Sequence, residues 1–431
     1  MIRTLNRTAT LSGSVQLPGD KSMSHRYAML AAIAEGTSAI RHFAASRDCH
    51  STLDCLQALG VEVHESGETV TICGRGLRGL RAPGQILDAG NSGTTIRLLS
   101  GILAGHPFES TITGDASLSS RPMGRVMRPL RLMGAAVESR ERDLPPLRIR
   151  GGSLKGIRYS LPVASAQVKS CVLLAGLYGK GPTAVEETIP TRDHTEIALR
   201  EFGGTVRQAG NWIEVDPEPA LRARQLTVPG DLSGAAFFLV AAALVPGSDL
   251  TLPGAGLNAR RRELLAYLER AGVDVAVENE TCLAGEPRGD LRVRFNPELF
   301  DRPLPPIRGA EAASLIDEIP VLAVLGSRAA GGVEISDAHE LRVKESDRIA
   351  AIAANLRSMG ADVTEKPDGL VIRGGRPLRG TDIVTLGDHR IAMAFAVAAL
   401  AAEGETRIHE AECADVSFPG FWDALNAIRT K

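Results

Sequence analysis

Apolar and polar positions along this chain repeat one local pattern. An amphipathic run at helical spacing ends on glycine, and a short stretch with alternating apolar positions follows. It occurs as LGVEV (59–63), MGAAV (133–137), FGGTV (202–206), AGVDV (271–275) and MGADV (359–363). Apolar residues three and four apart predict a one-faced helix, and strict alternation predicts a half-buried strand. Glycine suits the junction because it enters the left-handed conformation that stops a helix. The junction glycines stand at 60, 134, 203, 272 and 360, so three successive spacings lie near 70 residues. A sixth unit would close near the C-terminus, where no such glycine is visible.

A longer repeat lies over the short one. PGDKS at 18–22 and PGDLS at 229–233 are 211 residues apart, and each leads into an alanine-rich apolar run. Those runs lead on to CLQALGVEV (55–63) and YLERAGVDV (267–275). Duplication accounts for both repeats. It predicts an α/β protein of two similar domains, each of three helix–strand units, with the PGD segments as crossings. The expected division is 22–230 for one domain and 1–21 plus 231–431 for the other.

Composition narrows the function classes. A chain of 431 residues with 44% apolar residues can build two cores. The formal net charge is −2, so the surface offers no general attraction to nucleic acid or anionic lipid, and any anion site must be local. Aromatic residues, at 4%, are too few for stacking platforms on single strands. Six cysteines without a C-x-x-C pair read as reduced thiols, with no metal site. The N-terminus lacks an apolar signal core, and runs such as 235–245 and 391–402 are too short to span a bilayer. The expectation is a cytoplasmic protein without a membrane partner.

Seven segments carry candidate chemistry. In LPGDKSMSHR (17–26), Ser22 and Ser24 are expected to cap a helix whose N-terminus favours an anion, with Lys21 and Arg26 beside it. In DAGNSGTTIRLLSG (88–101), glycines free the backbone to approach a ligand, and the segment is neither a P-loop nor a dinucleotide fingerprint. In SLSSRPMGRVMRPL (117–130), Pro122 fits a first helical turn and puts Arg121 at the end of the dipole that repels cations. ASAQVKS (164–170) offers Ser165 and Gln167 at a helix start, with Lys169 on the face of Ser165. His194 in TRDHTE (191–196) reads first as a structural hydrogen-bonder. Asp317 and Glu318 before Pro320 are either ordinary helix-start acids or a base facing a ligand. In VKESDRI the helix is expected from about 345, with Lys344, Glu345 and Arg348 in its first turn, and His389 and Arg390 head a nearly all-apolar helix. Each segment alone also fits an ordinary capped helix. Together, helix N-termini that carry Lys or Arg beside small polar residues in a net-acidic chain point to two anionic ligands, one bearing phosphate or carboxylate groups for each half.

These motifs, in this order, resemble the 5-enolpyruvylshikimate-3-phosphate synthase family, the 3-phosphoshikimate 1-carboxyvinyltransferases. The likeness runs from LPGDKS near 17 to SFPGFW near 417 and includes RPM, VPGDLSGAAFF, LIDEIPVLAV and DHRIAMA. It implies two domains of three βαβαββ units each, an inverse α/β barrel of the enolpyruvyl transferase kind joined by two crossovers. It implies enolpyruvyl transfer from phosphoenolpyruvate to the 5-hydroxyl of shikimate 3-phosphate on the way to chorismate and aromatic amino acids, by a monomer without a cofactor. Carried over by motif, Lys21, Asn91, Gly93, Arg121, Gln167, Arg348 and Arg390 hold phosphoenolpyruvate. Lys21, Ser22, Arg26, Ser165, Gln167, Arg192, Asp317 and Lys344 hold shikimate 3-phosphate. Asp317 and Glu345 transfer protons, with Lys21 assisting. The chain departs from the pattern at Val416, where many members have lysine, and at Ala166, where many have serine. One rival is the related transferase acting on UDP-N-acetylglucosamine, but its loop cysteine has no counterpart in SLSSRPMGR. The other rival, a non-catalytic anion-binding protein, has no use for Asp317 and Glu345 beside the cations.

Overall fold

Each of the five junction glycines takes the left-handed backbone: φ is 85° at Gly60, 107° at Gly134, 97° at Gly203, 93° at Gly272 and 90° at Gly360. A side chain at these turns would be strained, so the helix stop is written into the residue type. The sixth helix, Phe421–Ala427, ends instead on Ile428 in right-handed conformation, and Arg429–Thr430 then pairs with Thr10–Ser14. Its unit is completed from the other end of the chain, where Arg3–Asn6 lies antiparallel to Glu405–Ile408.

The computed structural model describes residues 1–430. The chain forms two units: Met1–Pro18 with Pro229–Cys282 and Pro287–Lys431, and Gly19–Val228 with Leu283–Glu286. The last four residues are the tip of the hairpin formed by Asp274–Leu283 and Glu286–Arg294, and no sequence signal announced their membership. Each unit has its own apolar core.

The repeat is plainest between 87 and 150. Strand Leu87–Asp88, helix Gly93–Ala104, strand Glu109–Thr113, helix Gly124–Met133 and strands Ala136–Arg140 and Leu144–Arg150 follow one another. The strands stand in the order first, second, fourth, third; the first pair is parallel and the rest antiparallel. The same order recurs in the sheet of Arg158–Ser160, Thr183–Glu186, Trp212–Val215 and Val206–Ala209. In the repeat that begins this unit, the leading strand is Gln225–Thr227, from its far end, parallel to Glu35–Arg41. This is the arrangement of three βαβαββ units expected for each half.

The first helix of each repeat is the inner one. All thirteen residues of Leu232–Leu244 are buried, and so are twelve of the thirteen in His389–Ala401. A helix enclosed by other elements has no solvent face, so it reads as continuously apolar. Close packing makes a second demand at Gly101 of the Gly93–Ala104 helix. A Cβ there would stand 2.3 Å from the carbonyl oxygen of Cys171 in the Ala166–Gly176 helix. No helix among the described residues is long and apolar enough to cross a membrane.

Candidate active site

Lys21, the glycine-rich loop, Ser165, Asp317 with Glu318, and Arg390 sit at or just before the N-terminal heads of these inner helices, while Arg121, Arg192 and the Lys344–Arg348 segment lie at the heads of the second helices. In the Gly19–Val228 unit, Asp20 caps Lys21–Ile33 by accepting from the Met23 amide at 2.9 Å. Ser22 and Ser24 were expected to cap this helix and instead lie inside it; the Asp20 carboxylate, two residues before Ser22, reaches the open amide first. The Lys21 ammonium is 3.0 Å from Asp48 Oδ2. Arg26 is buried. Its Nε donates to Thr195 Oγ1 at 2.7 Å, Nη2 to Ser170 Oγ at 2.9 Å, and Nη1 to the Ser22 carbonyl at 2.9 Å. Burial pushes its pKa down to about 10, with Glu196 opposing the shift.

The glycine-rich loop forms a second patch of this unit. Ser92 caps the helix that begins at Gly93. Asn91 accepts from Arg121 Nη2 at 2.8 Å and donates to Asp115 Oδ2 at 2.8 Å. Arg121 also donates to Ser117 Oγ at 2.9 Å. It follows a short 3₁₀ turn, Leu118–Ser120, and the helix starts only at Gly124, so Pro122 is not in its first turn as expected. The Asn91 side chain, rather than a helix dipole, is what Arg121 faces. Ser165 caps Ala166–Gly176 through the Val168 amide, and Gln167 bridges Thr94 Oγ1 at 2.9 Å and Arg97 Nη1 at 2.7 Å. Arg97 was missed. Its position four residues after Gly93 was the available signal. Arg192 is partly buried just before the His194–Glu201 helix.

In the other unit the heads of three helices meet through side chains. Arg348 is buried, with Nε 2.8 Å from Asp388 Oδ2 and Nη2 3.2 Å from Asp388 Oδ1 and 2.6 Å from Glu345 Oε2. Its Nη1 makes no hydrogen bond and faces Asp317 Oδ1 at 3.6 Å. Lys344 Nζ lies 3.6 Å from the same Asp317 oxygen. Arg390 Nη1 donates to the Asp317 carbonyl at 2.8 Å and lies 4.0 Å from Glu318 Oε1, which Ser233 Oγ also reaches. Burial opposes the charge on Arg348, but Asp388 and then Glu345 outweigh it, and its pKa is raised.

The VKESDRI helix starts at Arg348, not near 345, because Asp347 caps it through the Ala350 amide. Lys344 and Glu345 lie before the helix, where backbone geometry rather than a shared turn sets their directions. His194 Nδ1 is 2.7 Å from Glu286 Oε1 in a buried contact, as a structural hydrogen-bonder would be. Val416 ends a 3₁₀ segment, Ala411–Val416, and supplies no charge. Asp388 and Glu318 were not singled out as partners of the arginines; Asp388 had no reading of its own, and Glu318 read as either a helix-start acid or a base facing a ligand. A cavity of about 460 Å³ is lined by Ser51, Asp54, Cys55, Asp88 and Gly90 among others, and it holds none of the expected ligand-binding residues.

Comparison with known proteins gives the arrangement its context. The family model described as EPSP synthase (3-phosphoshikimate 1-carboxyvinyltransferase) matches residues 5–425. The 3-phosphoshikimate 1-carboxyvinyltransferase of Solibacter usitatus is 51% identical over 99% of this chain and 100% of its own length. That of Pelotomaculum thermopropionicum is 52% identical over 98% of this chain and 97% of its own. An EPSP synthase structure from Acinetobacter baumannii superposes with a TM-score of 0.86 at 43% identity, covering 99% of this chain and 98% of that one. The enolpyruvyl transferase NikO from Streptomyces tendae shares the fold, with a TM-score of 0.74 at 19% identity over 99% of this chain and 97% of that one.

Proposed function

The chain belongs to the EPSP synthase family, and from that premise we propose how its own residues carry the transfer of the enolpyruvyl group of phosphoenolpyruvate to the 5-hydroxyl of shikimate 3-phosphate, with release of phosphate. The methylene carbon of phosphoenolpyruvate takes a proton, and the hydroxyl oxygen attacks the cationic carbon as it loses its own. The tetrahedral adduct then gives up a methyl proton while the carbon–oxygen bond to phosphate breaks.

Phosphoenolpyruvate is held by Lys21, Asn91, Gly93, Arg121, Gln167, Arg348 and Arg390. Shikimate 3-phosphate is held by Lys21, Ser22, Arg26, Ser165, Gln167, Arg192, Asp317 and Lys344. Asp317 serves the hydroxyl and Glu345 the methylene, with Lys21 assisting. The observation that carries this reading is the pair of carboxylates on one buried guanidinium. Glu345 stands 2.6 Å and Asp317 3.6 Å from different nitrogens of Arg348. Two acids fixed on one cation can serve two proton transfers at neighbouring atoms. We read the enzyme as a cytoplasmic monomer without a nucleic-acid or membrane partner; the small net charge supports the absence of an anionic partner, and the free cysteines support the compartment.

The test is Glu345→Gln. Shikimate 3-phosphate binding should persist while turnover falls by ~10²–10⁴-fold, the usual span for a positioned acid–base group. Deuterium wash-in at the methylene carbon in heavy water should fall with it. Normal wash-in with slow product formation would move the methylene role to Asp317. The UDP-N-acetylglucosamine transferase reading is not favoured by the family match, and turnover with shikimate 3-phosphate in place of the sugar nucleotide separates the two.

A further inference from the structure

Three consecutive buried residues after Arg192 are each tied to a different element. His194 meets Glu286, Thr195 accepts from Arg26, and Glu196 Oε1 lies 2.6 Å from the Lys169 ammonium. Lys169, on the Ala166–Gly176 helix, is 0% exposed, a costly place for an ammonium unless it is paired. A second carboxylate, Glu187 Oε2, lies 2.9 Å from it. The other oxygen of Glu187 accepts from the Thr191 amide at 3.2 Å and from the Thr191 hydroxyl.

One ammonium therefore joins two carboxylates that grip the chain on both sides of Arg192. Glu187 holds the residue just before it, and Glu196 holds the first turn of the helix just after it. Lys169 is sealed from any ligand, so it acts on substrate only through what it holds. Burial raises the Glu196 pKa, with Lys169 opposing the shift. Removing Lys169 would leave two buried carboxylates without their cation, and the segment would shift to rehydrate them.

We propose that Lys169 is a positioning residue for shikimate 3-phosphate, acting through the Glu187–Glu196 clamp to fix Arg192. The proposal rests on the reading that Arg192 binds that substrate. The experiment is a double-mutant cycle on the full-length enzyme, with each substrate varied in turn. Arg192→Ala should raise KM for shikimate 3-phosphate by about tenfold or more, the effect of losing one hydrogen bond to a charged group. Lys169→Met should raise the same KM to a similar extent and leave KM for phosphoenolpyruvate within about twofold. The double variant should be no worse than the weaker-binding single, because both remove one function. Thr191→Val, which exchanges the hydroxyl that donates to Glu187 for a methyl group, should raise the same KM by less, and it serves if Lys169→Met does not fold.

If Arg192→Ala raises this KM and neither Lys169→Met nor Thr191→Val does, the clamp is overturned and the Arg192 assignment stands. Additive effects, or a parallel rise in both KM values with a fall in Tm, reduce Lys169 to a structural residue and also overturn it. If Arg192→Ala leaves KM for shikimate 3-phosphate unchanged, the assignment of Arg192 fails and takes the clamp with it.

Discussion

Replacing Asp388 separates two duties that one buried carboxylate performs. It pairs with Arg348 through both oxygens, at 2.8 and 3.2 Å, and it caps His389–Ala401 by accepting from the Arg390 amide at 2.9 Å. Burial alone would raise its pKa, but Arg348 overrides that, and the carboxyl sits below the usual range. Asp388→Asn keeps the shape and the cap and removes the charge. Breaking a buried pair costs ~3–5 kcal/mol. Glu345 and Asp317 remain near Arg348, so the lower end, about 3 kcal/mol, is expected. Asp388→Ala also loses the cap, which adds about 1 kcal/mol. The assay is urea unfolding followed by tryptophan fluorescence. The chain has two tryptophans, Trp212 and Trp422, and Trp422 is buried in the same unit as Asp388. A Trp212→Phe background therefore reports that unit. The alanine variant should lie about 1 kcal/mol below the asparagine variant, and both should lose turnover as Arg348 is released. An asparagine variant as stable as the parent would refute the argument, since Arg348 would not depend on the charge.

Three further predictions follow from the other unit. His25 is buried with Nδ1 2.7 Å from Thr52 Oγ1, and burial, aided by Lys21 and Arg26, holds its pKa well below the usual 6.5. Its contribution to stability is therefore full above pH 6.5 and is lost as pH falls toward the folded value, by ~1.4 kcal/mol per pH unit; His25→Asn should flatten the acid limb of the urea midpoint, and an unchanged slope would refute this. A Cβ at Gly93 would meet Arg97 Nη1 at 2.5 Å and Arg121 Nη1 at 3.6 Å, the ends of two flexible side chains. Gly93→Ala should thus leave Tm nearly unchanged and raise KM for phosphoenolpyruvate, and the opposite pattern would count against the placement. Lys21→Ala removes the ion pair to Asp48 and should cut turnover at least tenfold, from the ~1.5–3 kcal/mol of a hydrogen bond to an ion; parental turnover would remove Lys21 from the mechanism.

The fold was legible where residue type alone decides backbone geometry. Five glycines took the left-handed turn, and the all-apolar runs became inner helices. Helix starts were misread wherever two polar residues competed to cap. Asp20 displaced Ser22 and Ser24, and Asp347 displaced the expected start near 345, because a carboxylate at the right position accepts the free amide first. Partners were less legible than heads. Nothing local to Lys169 announces Glu187 and Glu196, 18 and 27 residues away, or to Arg348 announces Asp388, 40 residues on. Such pairs are set by which helix heads the repeat brings together.

That also explains why the cations could be seen and their purpose could not. A charge at the head of an apolar helix needs a partner whether or not a ligand exists. In this protein Lys344, Arg348 and Arg390 already face Asp317, Glu345, Asp388 and Glu318. Counting positive charge at helix starts therefore overstates how much is left over for an anion. The informative feature is the unequal quality of the pairs. Arg348 gives Asp388 two hydrogen bonds and Glu345 one, while Nη1 makes none and stands 3.6 Å from Asp317. A phosphate or carboxylate oxygen gains most by completing that nitrogen, since a buried donor without a partner costs ~1–3 kcal/mol, more for a charged group. On the proposed assignment of Arg348 to phosphoenolpyruvate, the under-bonded nitrogen, rather than the number of arginines, is where the anion would bind.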